Sequence, residues 1–62
     1  MTLKEIRNKA GLSQSQLAEK SGVNLRTIQK YEIGERSIIK ASGETIQSLA
    51  EALGCKMEDL ME

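Results

Sequence analysis

Residues 13–34 read Ser-Gln-Ser-Gln-Leu-Ala-Glu-Lys-Ser-Gly-Val-Asn-Leu-Arg-Thr-Ile-Gln-Lys-Tyr-Glu-Ile-Gly. The apolar spacing predicts two short helices, the first over residues 14–20 and the second from residue 25 to residue 31 or 32. The turn between them contains Gly22, which takes a positive φ at little cost, as a sharp reversal of the chain requires. The stretch therefore predicts two helices that meet across a tight turn.

The second of these helices is expected to have one buried and one exposed face. Val23 should pack between the two helices, and Asn24 is a good N-cap for the second. Ile28 and Tyr31 form its inner row. Two helices joined by a short turn that contains glycine are typical of the helix-turn-helix that reads DNA. The outer row suits a surface that reads bases: Leu25, Arg26, Gln29 and Lys30.

The composition predicts one small all-α domain over residues 1–62. The sequence has no Pro, Phe or Trp, and helix-forming Leu, Ile, Ala, Glu, Lys and Gln dominate it. A chain this short buries only about 60% of its unfolded surface, so its stability must come from helix packing, with dimerisation as a possible contribution. One cysteine and no histidine provide neither a disulfide pair nor a zinc ligand set.

The residue types argue against an enzyme. Cys55 has no histidine to activate it, and no glycine-rich phosphate loop is present. We expect Cys55 to be a small buried apolar residue, the alternative being a reactive thiol. No cofactor, metal or small-molecule ligand is expected. No apolar run approaches the ~20 residues of a membrane span and no signal peptide is evident, which predicts a cytoplasmic protein without a membrane partner.

The net charge is zero, but the charges are unevenly distributed. Residues 1–40 carry eight Lys and Arg against four Glu, whereas residues 41–62 carry one Lys against five acidic residues. This asymmetry favours a polarised molecule whose basic face attracts phosphates. The alternative is ordinary solvated charge that happens to be segregated along the chain.

Capping signals define the first two helices. A first helix is predicted over residues 2–10, where Thr2 and Glu5 fit a capping box and the following glycine ends the helix. Ser13 and Gln16 fit a second capping box at the start of the next helix. The sequence thus specifies where both helices begin.

The second half of the chain predicts a loop and two more helices. Residues 35–41 form the loop, and at least one of Ile38 and Ile39 should be buried in the core, while the other packs on the surface or contacts a partner. Ser42 caps a fourth helix, which ends at the next glycine. A last short helix covers residues 57–61. The apolar face of the fourth helix comprises Ile46, Leu49, Ala50 and Leu53.

The last helix offers a candidate dimer contact formed by Met57, Leu60 and Met61. Leu60 is expected to point inward, whereas the two methionines either remain exposed or close the core. An exposed apolar end on so small a domain favours contact with a second copy.

Three runs of the sequence resemble the lambdoid phage repressors, the Cro proteins and the large Xre-type family. They are Gly11-Leu12-Ser13-Gln14-x-x-Leu17-Ala18-x-x-Ser21-Gly22-Val23, Thr27-Ile28-x-x-Tyr31-Glu32-x-Gly34 and Thr45-Ile46-x-x-Leu49-Ala50-x-x-Leu53-Gly54. The resemblance covers nearly the whole chain. It implies a compact five-helix lambda-repressor-like domain with a helix-turn-helix at about residues 13–32. Such a domain binds double-stranded operator DNA, usually as a homodimer on a palindromic site, with its third helix in the major groove.

The resemblance also implies roles for single residues. From its position alone, Gln14 is either an ordinary solvated first-turn residue or a phosphate contact, and the resemblance favours the second. Gln29 lies on the flank of the exposed face and contacts a base or nothing. The other implied base readers are Asn24, Leu25, Arg26 and Lys30. The implied phosphate contacts are Gln14, Thr27, Gly34, Arg36 and Lys40, with backbone N–H groups near Gly34 taking part.

Three further points of the comparison with the family concern the framework. Arg7 and Glu32 occupy positions that can form a partly buried ion pair between the first helix and the end of the third. The segment between Gly34 and Ser42 is longer than the common form of the family, which leaves its phosphate contacts open. Lys56 stands where relatives often have a Ser or Thr cap, so the last helix is expected to be frayed.

The sequence therefore predicts a DNA-binding transcriptional regulator, in the first place a repressor, that acts by occupancy: a dimer covers a promoter or recruits polymerase. The alternative is a protein-interaction module of the same fold, whose third helix meets a protein partner. The exposed position of Leu25 and the zero net charge leave room for that alternative.

Overall fold

Short helices follow one another along the chain in the computed structural model, which describes residues 2–61. The α-helices are α1 (Leu3–Lys9), α2 (Gln14–Ser21), α3 (Leu25–Glu32), α4 (Gly43–Leu53) and α5 (Met57–Leu60). A 3-10 turn, Ile38–Lys40, lies between α3 and α4. The predicted all-α, five-helix domain is confirmed, and the described residues contain no strand.

The predicted capping boxes are present at the first two helices. The Thr2 hydroxyl accepts a hydrogen bond from the Glu5 backbone N–H at 3.2 Å, and the Glu5 carboxylate accepts from the Thr2 N–H at 2.9 Å. Ser13 and Gln16 make the same reciprocal pair at 3.0 and 2.8 Å. These bonds satisfy N–H groups that a helix start otherwise leaves without partners.

The turn between α2 and α3 is set by two small residues. Gly22 has φ +76°, in the left-handed region that glycine enters without strain. The Ser21 hydroxyl donates to the Leu17 carbonyl at 2.7 Å and accepts from the Val23 N–H at 3.2 Å. α2 therefore extends to Ser21, one residue further than predicted, because this side chain stabilises its last turn.

The core contains residues from all five helices, and α4 contributes the most. Leu17 of α2, Ile28 of α3 and Leu49 of α4 are fully buried, and α2 packs against both α3 and α4. Burying a side chain of this size contributes about 1.5–3 kcal/mol. The predicted apolar face of α4 is confirmed in the core, which consists of Leu3, Ile6, Leu17, Ile28, Ile46, Leu49, Ala50, Ala52, Leu53 and Leu60.

The segment predicted as a loop contains the 3-10 turn, and it divides its two isoleucines between core and solvent. Ile38 is partly buried against the core, whereas 57% of Ile39 is exposed. The prediction that at least one of the pair is buried is therefore confirmed only in part, because Ile38 packs against the core without being fully buried. The burial of Ile38 anchors the segment to the helices beneath it.

The last helix is capped without the Ser or Thr that relatives often use. Asp59 accepts a hydrogen bond from the Lys56 backbone N–H at 3.1 Å, and Leu60 is 1% exposed. α5 ends at Leu60, one residue earlier than predicted. None of the helices within residues 2–61 is long and apolar enough to span a bilayer.

Gly22→Ala is expected to destabilise the fold by about 1–2 kcal/mol, because an alanine at this φ is strained. A Cβ at Gly22 would have no neighbour within 4 Å, so backbone strain is the only cost. The matched control is Gly43→Ala, where a Cβ is equally free and φ is not positive. It should stabilise the fold by about 0.4–1 kcal/mol. The free energy of unfolding in urea measures both changes, and equal effects would contradict the assignment.

Candidate nucleic-acid interface

α3 presents the side chains that the sequence predicts to read bases. With about 3.6 residues per turn, Arg26, Gln29, Lys30 and Ile33 follow one another along one side of the helix. Ile28, on the opposite side, is fully buried. Arg26 and Gln29 are exposed, and Lys30 is half-buried. Leu25 is 36% exposed at the border of this outer side.

Asn24 combines the cap that the sequence predicts with a position next to the outer side of α3. Its Oδ1 accepts a hydrogen bond from the Arg26 backbone N–H at 2.8 Å. A carbonyl oxygen used in this way fixes the orientation of the amide. The side-chain NH₂ group is therefore the part of Asn24 that remains for a base or a phosphate.

Arg7 and Glu32 form the ion pair that the resemblance implies. Arg7 Nε donates to Glu32 Oε2 at 2.7 Å, and Arg7 Nη2 donates to Oε1 at 3.0 Å. The two side chains are only 10% and 3% exposed. Arg7 Nη1 also donates to the Leu12 carbonyl at 2.8 Å, so one guanidinium joins α1, the α1–α2 connection and the end of α3.

Gln14 joins the same cluster from the first turn of α2. Its Nε2 donates to Glu32 Oε1 at 3.0 Å, and the residue is half-buried. Gln14 is therefore anchored to the protein and is not a freely solvated side chain. The distance of 18 residues between the two partners means that only the packing of α2 against α3 brings them together.

Glu32 remains ionised because its partners outweigh its burial. Burial by itself raises the pKa of this carboxyl. Hydrogen bonds from Arg7 and Gln14, together with the positive charges of Arg7 and Lys4, lower it further than burial raises it, so the pKa lies below its ordinary value. The carboxylate is thus a permanent acceptor at neutral pH.

An open, polar cleft of about 600 Å³ lies along the side of α3 that carries Thr27 and Tyr31. Asn24 and Thr27 of the helix-turn-helix line it, together with Arg36, Lys40 and the α4 cap Ser42. Three residues predicted as phosphate contacts, Thr27, Arg36 and Lys40, therefore converge on one cavity. Gly34 lines an adjoining cavity of about 460 Å³ that Arg36 and Lys40 also border.

The backbone donors near Gly34 are used within the chain. The Gly34 N–H donates to the Tyr31 carbonyl at 3.3 Å, and the N–H groups of Glu35 and Arg36 both donate to the Lys30 carbonyl, at 2.9 and 3.2 Å. The expectation that these N–H groups hold phosphates is therefore corrected, because they end α3 instead. The side chains of Arg36 and Lys40 are the cationic donors of this segment.

Sequence reasoning missed two side chains near the interface. Tyr31 was predicted only as an inner residue, yet it also lines the cleft beside Arg36 and Lys40. Ile33 is 74% exposed at the end of α3. Its spacing of four residues from Gln29 is the signal that puts it on the outer side of the helix.

The predicted dimer contact is only partly available at the surface. Met57 and Met61 are 37% and 40% exposed, respectively. Leu60 is 1% exposed and belongs to the core, so its inclusion in a surface contact is corrected.

The free thiol of Cys55 is half-buried. Burial raises the pKa of this thiol, so the reactive thiolate is less populated at neutral pH.

A protein-family model described as helix-turn-helix matches residues 3–60 of the chain. That range includes every element from α1 to α5. No curated protein and no solved structure matches significantly.

Arg7→Met and Glu32→Met are each expected to destabilise the fold by about 3–5 kcal/mol, because either change leaves one buried charge without its partner. The double replacement should cost less than either single change, since it removes both charges together. Urea unfolding followed by circular dichroism measures the coupling.

The control for this comparison of single and double variants is the exposed pair of Gln47 and Glu51. Gln47 Nε2 donates to Glu51 Oε1 at 3.1 Å. Replacing these two residues singly and together by Met should reveal a coupling of only about 0.2–0.5 kcal/mol. Additive losses at Arg7 and Glu32 would contradict the proposed importance of their pairing.

Proposed function

The chain belongs to the Xre-like helix-turn-helix family of DNA-binding regulators, and we propose that it is a sequence-specific repressor that binds a palindromic operator as a homodimer. The observation that supports the proposal best is the surroundings of α3. Its exposed side lies between a cleft bordered by Arg36 and Lys40 and the anchored amide of Gln14. A reading helix needs this combination of base-edge donors with flanking phosphate contacts.

In the proposed complex, α3 enters the major groove with its outer side towards the bases. Arg26 donates two hydrogen bonds to guanine O6 and N7, and Lys30 reaches the same acceptors or a phosphate. Leu25 makes an apolar contact with a thymine methyl group. Asn24 and Gln29 complete the reading surface from the start and the flank of the helix.

Phosphate contacts would hold α3 in register from both sides. Arg36 and Lys40, with the Thr27 hydroxyl, face one strand of the backbone across the cleft. Gln14 faces the other strand from the start of α2, where helix N–H groups also favour an anion. These contacts carry no sequence information. Because Arg36 and Lys40 would displace counterions from the phosphates, binding should depend strongly on salt.

The homodimer would pair two copies through Met57 and Met61, the exposed side chains of α5. A two-fold dimer binds two half-sites about 34 Å apart, one turn of the DNA helix. Occupying a promoter in this way would block transcription.

A protein partner for α3 is the second candidate, because Leu25 and Ile33 add apolar surface to its outer side. Selection of random duplexes with the purified chain distinguishes the two functions. A palindromic consensus with a steep salt dependence would support the repressor. An unselected pool would favour the protein partner.

Arg26→Ala should relax the preference at one base position in each half-site and weaken binding to the selected duplex by about 1–3 kcal/mol. Lys40→Ala should weaken binding to all duplexes alike and reduce the salt slope by about 1. Fluorescence anisotropy at several salt concentrations measures both effects.

Lys56→Ala is the matched control for these charge removals. Lys56 lies beyond the C-terminal end of α4, whereas the cleft is at the N-terminal end of that helix. Its replacement should leave affinity and base preference unchanged. If Arg26→Ala and Lys40→Ala behave like this control, the proposed reading surface is wrong.

Replacing Met57 and Met61 together by Glu should convert the dimer to a folded monomer, because two carboxylates would repel across the contact. Sedimentation velocity measures the change, and affinity for the palindrome should fall towards that of a single half-site. Gln47→Glu, an exposed change on α4, serves as the control for added negative charge. A dimer that survives both Met substitutions would contradict this contact.

A further inference from the structure

We propose that Glu32 is a positioning residue for DNA binding, which holds the Gln14 amide in the one orientation that donates a hydrogen bond to a DNA phosphate. The inference rests on the proposed function. It is carried by the juxtaposition of Gln14 Nε2 and Glu32 Oε1 at 3.0 Å, between the start of α2 and the end of α3.

The Glu32 carboxylate is itself immobilised. Arg7 donates to both of its oxygens, at 2.7 and 3.0 Å, and the Glu32 side chain is 3% exposed. A third bond from Arg7 to the Leu12 carbonyl fixes the guanidinium as well. The acceptor that meets Gln14 therefore has neither the space nor the free hydrogen-bonding capacity to turn away.

A fixed acceptor determines which way the amide faces. An ionised carboxylate accepts hydrogen bonds and donates none, so Gln14 must present its NH₂ group to Glu32 and not its carbonyl oxygen. One hydrogen of that NH₂ group is used, and the second remains for another acceptor. Arg7 balances the charge of Glu32, so a phosphate that accepts this hydrogen does not face an uncompensated carboxylate.

The orientation matters for affinity because a glutamine loses side-chain freedom when it binds. That loss costs up to about 1.5–2 kcal/mol for a freely rotating side chain. Here folding has already fixed Gln14, so the hydrogen bond to phosphate forms with little further ordering. Without Glu32, the same amide would have to be ordered by the DNA.

The test compares Gln14→Met in the wild-type chain and in the Arg7→Met/Glu32→Met double variant. The probe is a short duplex of mixed sequence at low salt, because a phosphate contact does not depend on sequence. In the wild-type chain Gln14→Met should weaken binding about tenfold, the value of one hydrogen bond to a charged group. In the double variant it should have little effect. A purely structural role for Glu32 would give the same loss in both backgrounds and would overturn the inference.

A second readout does not involve DNA. In ¹⁵N-resolved NMR spectra the Gln14 side-chain amide protons should be well separated and slow to exchange in the wild-type chain. In the double variant they should resemble those of the exposed Gln29. Unchanged Gln14 signals would overturn the inference. Gln47→Met is the control for removing an amide outside the interface and should alter binding in neither background.

If the double variant fails to fold, Glu32→Asp provides the same comparison. This change retains the charge opposite Arg7 but withdraws the carboxylate from Gln14 by one methylene group. A wild-type chain that binds no duplex would overturn the proposed function and the inference with it. A wild-type chain that binds, with equal Gln14→Met losses in all backgrounds, would overturn the inference alone.

Discussion

The bidentate ion pair between Arg7 and Glu32 is the interaction on which the arrangement of the first three helices depends. It joins α1 to the end of α3, and the additional bonds to Leu12 and Gln14 connect the same charges to the α1–α2 connection and to the start of α2. Burying two charges is costly, and an apolar pair of similar volume often stabilises a fold as well. An apolar pair would not fix the relative orientation of the groups around it, because hydrophobic contacts are not directional. The bonds from Arg7 and Gln14 to one carboxylate link the end of α3 to α1 and to the start of α2.

The remainder of the framework consists of helices that would be unstable alone. α1, α2 and α3 have seven or eight residues each, well below the ~12–15 at which isolated helices become even marginal in water. Capping bonds at Thr2, Ser13 and Asn24 reduce the number of unpaired N–H groups at their starts. Packing of α1 against α3, and of α2 against α3 and α4, then supplies the stabilisation that capping cannot. Local capping bonds and tertiary burial therefore stabilise the same helices, which is typical of chains that fold to one structure.

The segment between α3 and α4 illustrates how one stretch serves both core and surface. Ile38 packs against the core, and this anchor leaves Arg36 and Lys40 beside the cleft. The N–H groups of Glu35 and Arg36 close the end of α3, so the cationic donors of the segment are the side chains of Arg36 and Lys40. A contact made by long, flexible cations is less directional than one made by backbone N–H groups. In the proposed complex the segment would therefore attract phosphates, whereas α3 and Gln14 would fix the register.

The sequence by itself determined the elements of this protein whose causes lie within a few residues. The caps at Thr2, Ser13 and Ser42 were predictable because each is a bond between residues three positions apart. The inward row of α4 was predictable because helical periodicity depends only on spacing. The tertiary structure alone decided that Gln14 meets Glu32, and that Ile38 and not Ile39 enters the core. These outcomes depend on how helices that are distant in sequence pack together, and no local pattern encodes that geometry.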